Sequence, residues 1–496
     1  MLKIKDRIYK QISMKLKTLR KIFFTCLLTF SLSVYANPYN LPELGSSGAN
    51  GMTIQRERMI GDYFMRMARG HLNIAEDPVL TEFLNSVGNR LVLNASDVRF
   101  PFEFFVVNNT SLNASAFLGG KVQVYTGLFH YADTEDEFAS VIAHEISHVT
   151  QRHIARFIEE QTKTHSLTVA GMIGAVAMSL INPVVGMAAL STTLGANIQS
   201  KINFTRDNEY EADRIAIDLL YKSGYNPMGM SDLFRKLMNM QGNINPAFAL
   251  LIDHPLSDIR TAEAENRARQ YPRVKNSQNK DFMLAKARVD IRYMGYDLKD
   301  LKNRLDVNPD KINQIYRNYA LALIAYEQKD FESARNYLKK LNLNENIFVI
   351  DLLTDIDIED HKVSNAISRL KPLHQRRPNN QAVVVNLANA YLVANQGNKA
   401  IDILKPYQSK HPQDYLVSTL LTDAYKKANK RCLALQSGAY SFSLQSNYPR
   451  ALGMYSEALN YCNGNEREIV RAKMAELSKQ RSFDEEMTSN PTFNFK

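Results

Sequence analysis

The sequence predicts a mainly α protein in two parts, an α+β domain with a small sheet followed by an all-α solenoid. Three observations carry that prediction. His144-Glu145-Ile146-Ser147-His148 lies inside an apolar stretch from Val141 to Val149, short strand-like runs precede it, and small residues recur at intervals of 34 positions late in the chain. The expected boundaries are 1–36 for a leader, 37–290 for the first domain, 291–482 for the repeats and 483–496 for a disordered tail.

Eight basic residues between Lys3 and Lys21 precede an apolar run from Ile22 to Tyr35, which ends Val34-Tyr35-Ala36. A basic start, a short apolar core and a small residue at the cut make a secretory signal peptide. The run is short for a membrane span, and Met14 offers a second start that would give a leader of ordinary length. Without the leader the chain carries 53 basic and 50 acidic residues, near +3 instead of the +10 of the whole. No basic run with interleaved aromatics replaces it, so no nucleic-acid partner is expected. Cys432 and Cys462 remain, in a compartment where disulfides persist. They are symmetric about Asn447 in the turn-like Ser446-Asn447-Tyr448-Pro449. A helical hairpin folded there brings them side by side, which predicts a disulfide.

From Leu41 to about Asn94 the patterning is helical, with Glu57, Ile60, Tyr63, Phe64 and Met67 at helical spacing. Phe102 to Val107 reads as a buried strand; Ala114 to Leu118, Gly119-Gly120 and Lys121 to Thr126 read as strand, turn and strand. A helix is expected from Thr134, a capping residue followed by Glu135-Asp136-Glu137. Two apolar stretches, Leu167 to Ile181 and Val184 to Leu190, are split by Asn182-Pro183, and neither is long enough to span a bilayer. As a helical hairpin they would form core packing, a buried lid or a peripheral membrane contact. Further on, Leu387, Ala388, Tyr391, Ala400, Leu404 and Pro412 occupy the positions of a tetratricopeptide unit. Ala366, Leu370 and Pro378 match it 34 residues earlier, and Tyr425 and Ala434 match it 34 residues later. Ala322 and Ala334 suggest a looser first unit, and Ala439, Ala451, Tyr455 and Ala458 a shifted last one. Stacked units of this kind make a concave, partner-binding superhelix.

Four residues of helix turn through about 400°, so His144 and His148 project from one face. Two imidazoles so placed can grip one Zn²⁺, and Glu145 can then reach a water at the metal's open position. A hydrolytic zinc needs a third protein ligand. Glu209, in Asn208-Glu209-Tyr210-Glu211-Ala212-Asp213-Arg214, and His254, in Asp253-His254-Pro255, are the candidates. Glu211 is a chemical rival, but on a helix it points about 200° away from Glu209, so only one of them can face the metal. His153 is one place short of the histidine that the longer metzincin motif requires. It is expected on the other side of the helix, packed or at the surface.

Together these residues resemble the M48 peptidases, zinc proteases of the gluzincin type. The resemblance runs from Leu41-Pro42-Glu43-Leu44-Gly45 through Asn113 to Gly120, the motif His144 to His153, Glu209-Tyr210-Glu211-Ala212-Asp213 and His254-Pro255 with Arg260, to the repeats. It implies one Zn²⁺ per chain, with Glu209 as third ligand and Asp213 orienting a ligand imidazole. It implies that His254 either stabilises the tetrahedral oxyanion or binds zinc as a fourth ligand that keeps the enzyme latent. Arg260 is either an active-site helper or a surface ion-pair residue. Ala114, Ser115, Ala116 and Phe117 are the expected edge strand for extended substrate. Leu118 stands where the family more often has proline, which leaves the turn shape open. The implied function is that of a periplasmic zinc endopeptidase in a Gram-negative bacterium, with a chaperone-like role in outer-membrane barrel assembly and quality control. Its substrates would be unfolded or stalled outer-membrane proteins, and its repeats would dock the barrel assembly machinery. The alternative is a repeat-based binding scaffold whose protease site is largely latent.

Overall fold

A computed structural model of the chain describes residues 52–164, 198–240, 250, 254–272, 274, 280–307 and 309–489. Residues 1–36, expected to be a leader, and the apolar segment 167–190 lie outside the described residues. The first helix, α1 (Ile54–His71), buries Ile60, Tyr63 and Phe64, and α2 (Pro78–Val92) follows it. Thr53 and Asp77 cap these two helices by accepting main-chain N–H bonds, because the first turn of a helix leaves its donors unpaired. Three strands then form one sheet in the order β1-β3-β2: β1 (Glu103–Val107), β2 (Ala114–Phe117) and β3 (Lys121–Tyr125). β1 runs parallel to β3 and β2 antiparallel to it, with Ala116 opposite Val122. β2 is therefore an edge.

The turn between β2 and β3 is a 3₁₀ turn over Leu118–Gly120, with φ of 73° at Gly119 and 78° at Gly120. Glycine adopts that region without strain. The turn packs under α1, where a Cβ on Gly61 would stand 2.3 Å from the Leu118 carbonyl oxygen. Leu118 thus occupies the proline position without preventing a tight turn.

After α3 (Thr126–Tyr131) comes α4 (Glu135–Thr150), which carries both motif histidines. The Thr134 hydroxyl accepts from the Glu137 amide at 3.2 Å, as its sequence signals required. α4 is buried nearly throughout, against β2 on one side and α6 (Ile198–Lys222) and α7 (Met228–Met240) on others. α5 (His153–Thr164) follows a sharp turn, and α8 (Asp258–Ala268) packs on α6 and α7.

The rest is helical: α9 (Lys280–Arg292), α10 (Leu298–Val307), α11 (Gln314–Glu327), α12 (Phe331–Lys340), α13 (Ile347–Glu359), α14 (Val363–Arg376), α15 (Gln381–Val393), α16 (Gly397–Lys410), α17 (Tyr415–Lys427), α18 (Arg431–Ser443), α19 (Tyr448–Ala458) and α20 (Gly464–Ser489). The 34-residue period is visible in the backbone. Asn346, Asn380 and Asp414 cap α13, α15 and α17, the first helices of successive pairs, and His361, Asn395 and Asn429 take positive φ in the turns that follow them. Ala366, Ala400 and Ala434 are all buried, where only a small residue lets two helices approach.

Two features depart from the expected division. The hydrophobic core is continuous from α2 to α15, so packing does not break near residue 290. Arg288 of α9 shows why: it pairs with Asp77 at the start of α2 at 2.5 Å and with Asp351 of α13 at 2.8 Å. The second departure is a correction. Residues 483–489, expected in a disordered tail, are instead the last turns of α20, which continues to Ser489, and the remainder of that expected tail lies outside the described residues. Asp484 pairs with Arg66 of α1 at 2.6 Å, and Met487 is buried among α1 and sheet residues. Its polar composition reflects a helix with one narrow buried stripe. The Cys432–Cys462 disulfide closes the α18–α19 hairpin, with 5.1 Å between Cα atoms. Among the described residues no helix is long and apolar enough to cross a membrane.

Candidate metal centre

One turn of α4 sets His144 above His148, and their Nε2 atoms lie 2.9 Å apart. α6 runs against α4 and delivers Glu209, whose Oε2 is 3.3 Å from His144 Nε2 and whose Oε1 is 3.5 Å from His148 Nε2. His254, just before α8, places Nδ1 at 3.0 Å from Glu209 Oε1 and 3.3 Å from His144 Nε2. A tetrahedral shell at about 2.0–2.1 Å puts its donor atoms roughly 3.3 Å apart. The observed spacings straddle that value, and all four donor atoms fall within 4.8 Å of one another.

The hydrogen bonding makes the same point. Each imidazole turns its other nitrogen outward, His144 Nδ1 to Asp213 Oδ1 at 2.9 Å and His148 Nδ1 to His153 Nδ1 at 2.7 Å. The Asp213 carboxylate beside Nδ1 favours a hydrogen on that nitrogen, and His144 Nε2 faces the neighbouring Nε2. Two such nitrogens in contact require a proton or a metal cation between them. The donor set, imidazoles plus a carboxylate, suits a divalent transition metal.

Charge is buried heavily here: Glu145 is 1% exposed, Glu209 3%, Asp213 6% and Arg260 5%. Burial alone would raise Glu209, but the His254 and His144 rings outweigh it and hold its carboxyl well below the usual range. Burial also opposes charge on His144, yet the Asp213 and Glu209 carboxylates push its pKa up to about 10. His148 is driven far down, by burial and then by the neighbouring His144. Burial raises Glu145 above the ordinary carboxylate value, against the pull of His254 and His144. Arg260 is a buried clamp, which settles the two readings of this residue. Its guanidinium donates to both oxygens of Asp213, at 2.8 and 2.9 Å, and lies 3.0 Å from Glu209 Oε2.

Glu145 lies beside the sheet edge, and Oε2 accepts the Ala116 amide at 2.8 Å. Of the expected edge residues, Ala116 thus meets the motif glutamate and with Phe117 lines a cavity beside His148, while the Ser115 hydroxyl accepts from the Gln123 side-chain amide and Ala114 is buried. Glu145 Oε1 stands 3.4 Å from His254 Nε2. A small apolar cavity opens beside His144, His254 and Arg260, lined by Val141, Met230, Phe234, Leu237, Leu250 and Leu256.

A family model described as peptidase family M48 matches residues 78–268, and a tetratricopeptide repeat model matches 357–424. The beta-barrel assembly-enhancing protease of Yersinia pestis is 40% identical over 364 residues, 72% of this chain and 74% of that protein. Its counterpart in Escherichia coli (strain K12) is 41% identical over the same shares. The chain belongs to peptidase family M48. A more distant relative, metalloprotease LoiP of Escherichia coli, is 28% identical over 193 residues, 38% of this chain and 69% of that protein. As a member of M48, with its metal-ligand cluster and motif glutamate assembled, this chain is a metalloendopeptidase.

His153 corrects the sequence reading. It is neither on the far side of the motif helix nor at the surface: it is 4% exposed and touches His148. Helical spacing would put it on the far side only on a continuous helix, but α4 ends at Thr150 and Arg152 takes a positive φ of 55°. That turn swings His153 back toward the motif. Glu211 is not part of the donor cluster; it holds His153 Nε2 at 3.1 Å and Arg156 at 2.7 Å. Spacing alone carried no signal for either role.

Proposed function

We propose that the protein is a periplasmic zinc endopeptidase acting on unfolded or stalled outer-membrane proteins, with one Zn²⁺ held by His144, His148 and Glu209. The observation that carries this reading is the convergence of those donors at tetrahedral spacing, with Glu145 alongside. Bound there, zinc supplies the positive charge that acidifies an attacking water and polarises the scissile carbonyl. Glu145 accepts the water's proton and passes it to the leaving nitrogen. Asp213 fixes the ring of His144, and Arg260 fixes Asp213 and Glu209. β2 offers main-chain partners to an extended substrate strand from Ala114 to Phe117. The apolar cavity favours an apolar side chain next to the bond that is cut.

His254 joins the same donor cluster, where a fourth ligand would close the site until substrate displaced it. This supports a latent resting enzyme, and with it a share for the scaffold reading: the repeats hold clients and dock the barrel assembly machinery while the site is closed. The relatives' names and the repeat array support the outer-membrane role, and the signal-peptide pattern of residues 1–36 supports export.

Glu145→Gln is the decisive variant. Zinc content should persist while cleavage of an unfolded outer-membrane protein falls by roughly 10²–10⁴-fold. Retained cleavage by that variant excludes the mechanism. Rescue of a barrel-assembly defect by it would assign the cellular role to binding.

A further inference from the structure

The two motif histidines are supported differently. His144 leans directly on a carboxylate, whereas His148 leans on another imidazole. We propose that His153, backed by Glu211 and Arg156, is a positioning residue that holds His148 in the tautomer able to bind the metal. The inference rests on the proposed zinc site.

The direction of each hydrogen bond follows from the outer end of the chain. Glu211 Oε2 is a carboxylate oxygen and only accepts; it receives Arg156 Nη2 at 2.7 Å and faces His153 Nε2 at 3.1 Å. His153 Nε2 therefore carries a hydrogen. A neutral imidazole has one N–H, so His153 Nδ1 is an acceptor. Across 2.7 Å from it, His148 Nδ1 must be the donor. The hydrogen of His148 is then on Nδ1, and the lone pair of Nε2 points at His144 and Glu209. One carboxylate near the surface thus sets the tautomer of a ligand two residues further in.

Position follows from the fold. Arg152 makes the turn that presents His153, and it is pinned by donating to Glu57 at 2.7 Å and to the Met52 carbonyl. Glu211 sits two residues after Glu209 on α6, so the helix that supplies a ligand also supplies the anchor of this relay.

The test uses the full mature chain and measures zinc affinity by competition with a chromophoric chelator. His153→Phe keeps a ring in the space but removes the acceptor; zinc affinity should fall about 10–100-fold. His153→Gln restores an acceptor oxygen and should recover most of that loss. The cobalt-substituted protein should show altered visible bands in the Phe variant and near-parental ones in the Gln variant. Metal-free Phe variant and parent should melt within a few degrees of each other. Zinc affinity of His153→Phe within twofold of the parent overturns the proposal, as does a Gln variant no better than Phe. Should the Phe variant fail to fold, Glu211→Leu decides at a partly exposed position, several-fold weaker zinc binding supporting the relay and unchanged binding overturning it. A parent that binds no zinc fails the underlying site reading instead.

Discussion

Around the metal centre the protein buries Glu145, Glu209, Asp213 and Arg260, while the repeats bury Ala366, Ala400 and Ala434 at their tightest crossings. Buried charge is not absent from the repeats. Asp357 is wholly enclosed, yet Arg335 reaches it at 2.7 Å and Arg369 closes its other oxygen. The repeat carboxylate is answered in full by its neighbours. At the metal centre three imidazoles and Glu209 converge with their donor atoms facing one another, an arrangement completed by a cation. A buried carboxylate thus points to function only where donors converge on a common point.

Four substitutions probe that contrast. The largest effect is expected from Arg260→Leu, which leaves Asp213 and Glu209 buried without their counter-charge. Metal-free protein should lose about 3–5 kcal/mol in denaturant unfolding, and zinc should restore part of it. A loss under about 1 kcal/mol would mean that Arg260 does not balance the site. In the repeats, Cys432→Ser opens a link spanning 30 residues. Stability should drop by about 3–4 kcal/mol under oxidising conditions, with zinc affinity unchanged. A change in zinc affinity would tie the hairpin to the metal centre and blur the comparison.

A third effect depends on pH. Burial raises Glu135, at the start of α4, to about 7. The native state then binds this proton more tightly than the unfolded chain, whose carboxyl titrates near the ordinary 4.5. Stability from this group is greatest below about 4.5, declines as pH rises to about 7 and is flat above. The span is on the order of 2–3 kcal/mol. Subtracting the stability profile of Glu135→Gln from that of the parent should isolate this slope; a flat difference would refute it. The smallest effect, ~1–3 kcal/mol, is expected for Ala400→Leu, which overpacks a helix crossing. Calorimetry should place that loss in the repeats and leave cleavage of a short peptide intact.

Much of the site was legible because its signals are local. His144, Glu145 and His148 lie within one helical turn and a half, and Thr134 with its acids marks where that helix begins. The repeats were legible because Ala366, Ala400 and Ala434 recur at one interval. Arg260 was undecided until its three acceptor oxygens were in view, since a lone arginine reads equally well as surface. His153 was misread because one residue, Arg152, leaves the helical region, and spacing arguments fail across such a break. The end of α20 was misread because a polar composition hides a single buried stripe that ends in Met487.

By itself, then, the sequence determined which side chains share a helix face, where helices start, and the period of the repeats, because these follow from chain geometry within a few residues. Only the tertiary structure decided that His254 joins the donors, that Arg260 clamps two carboxylates, that His153 and Glu211 stand behind His148, and that α20 returns to α1. Those contacts join residues up to 418 positions apart. Their geometry is set by how helices pack and where the chain turns, which no local periodicity encodes.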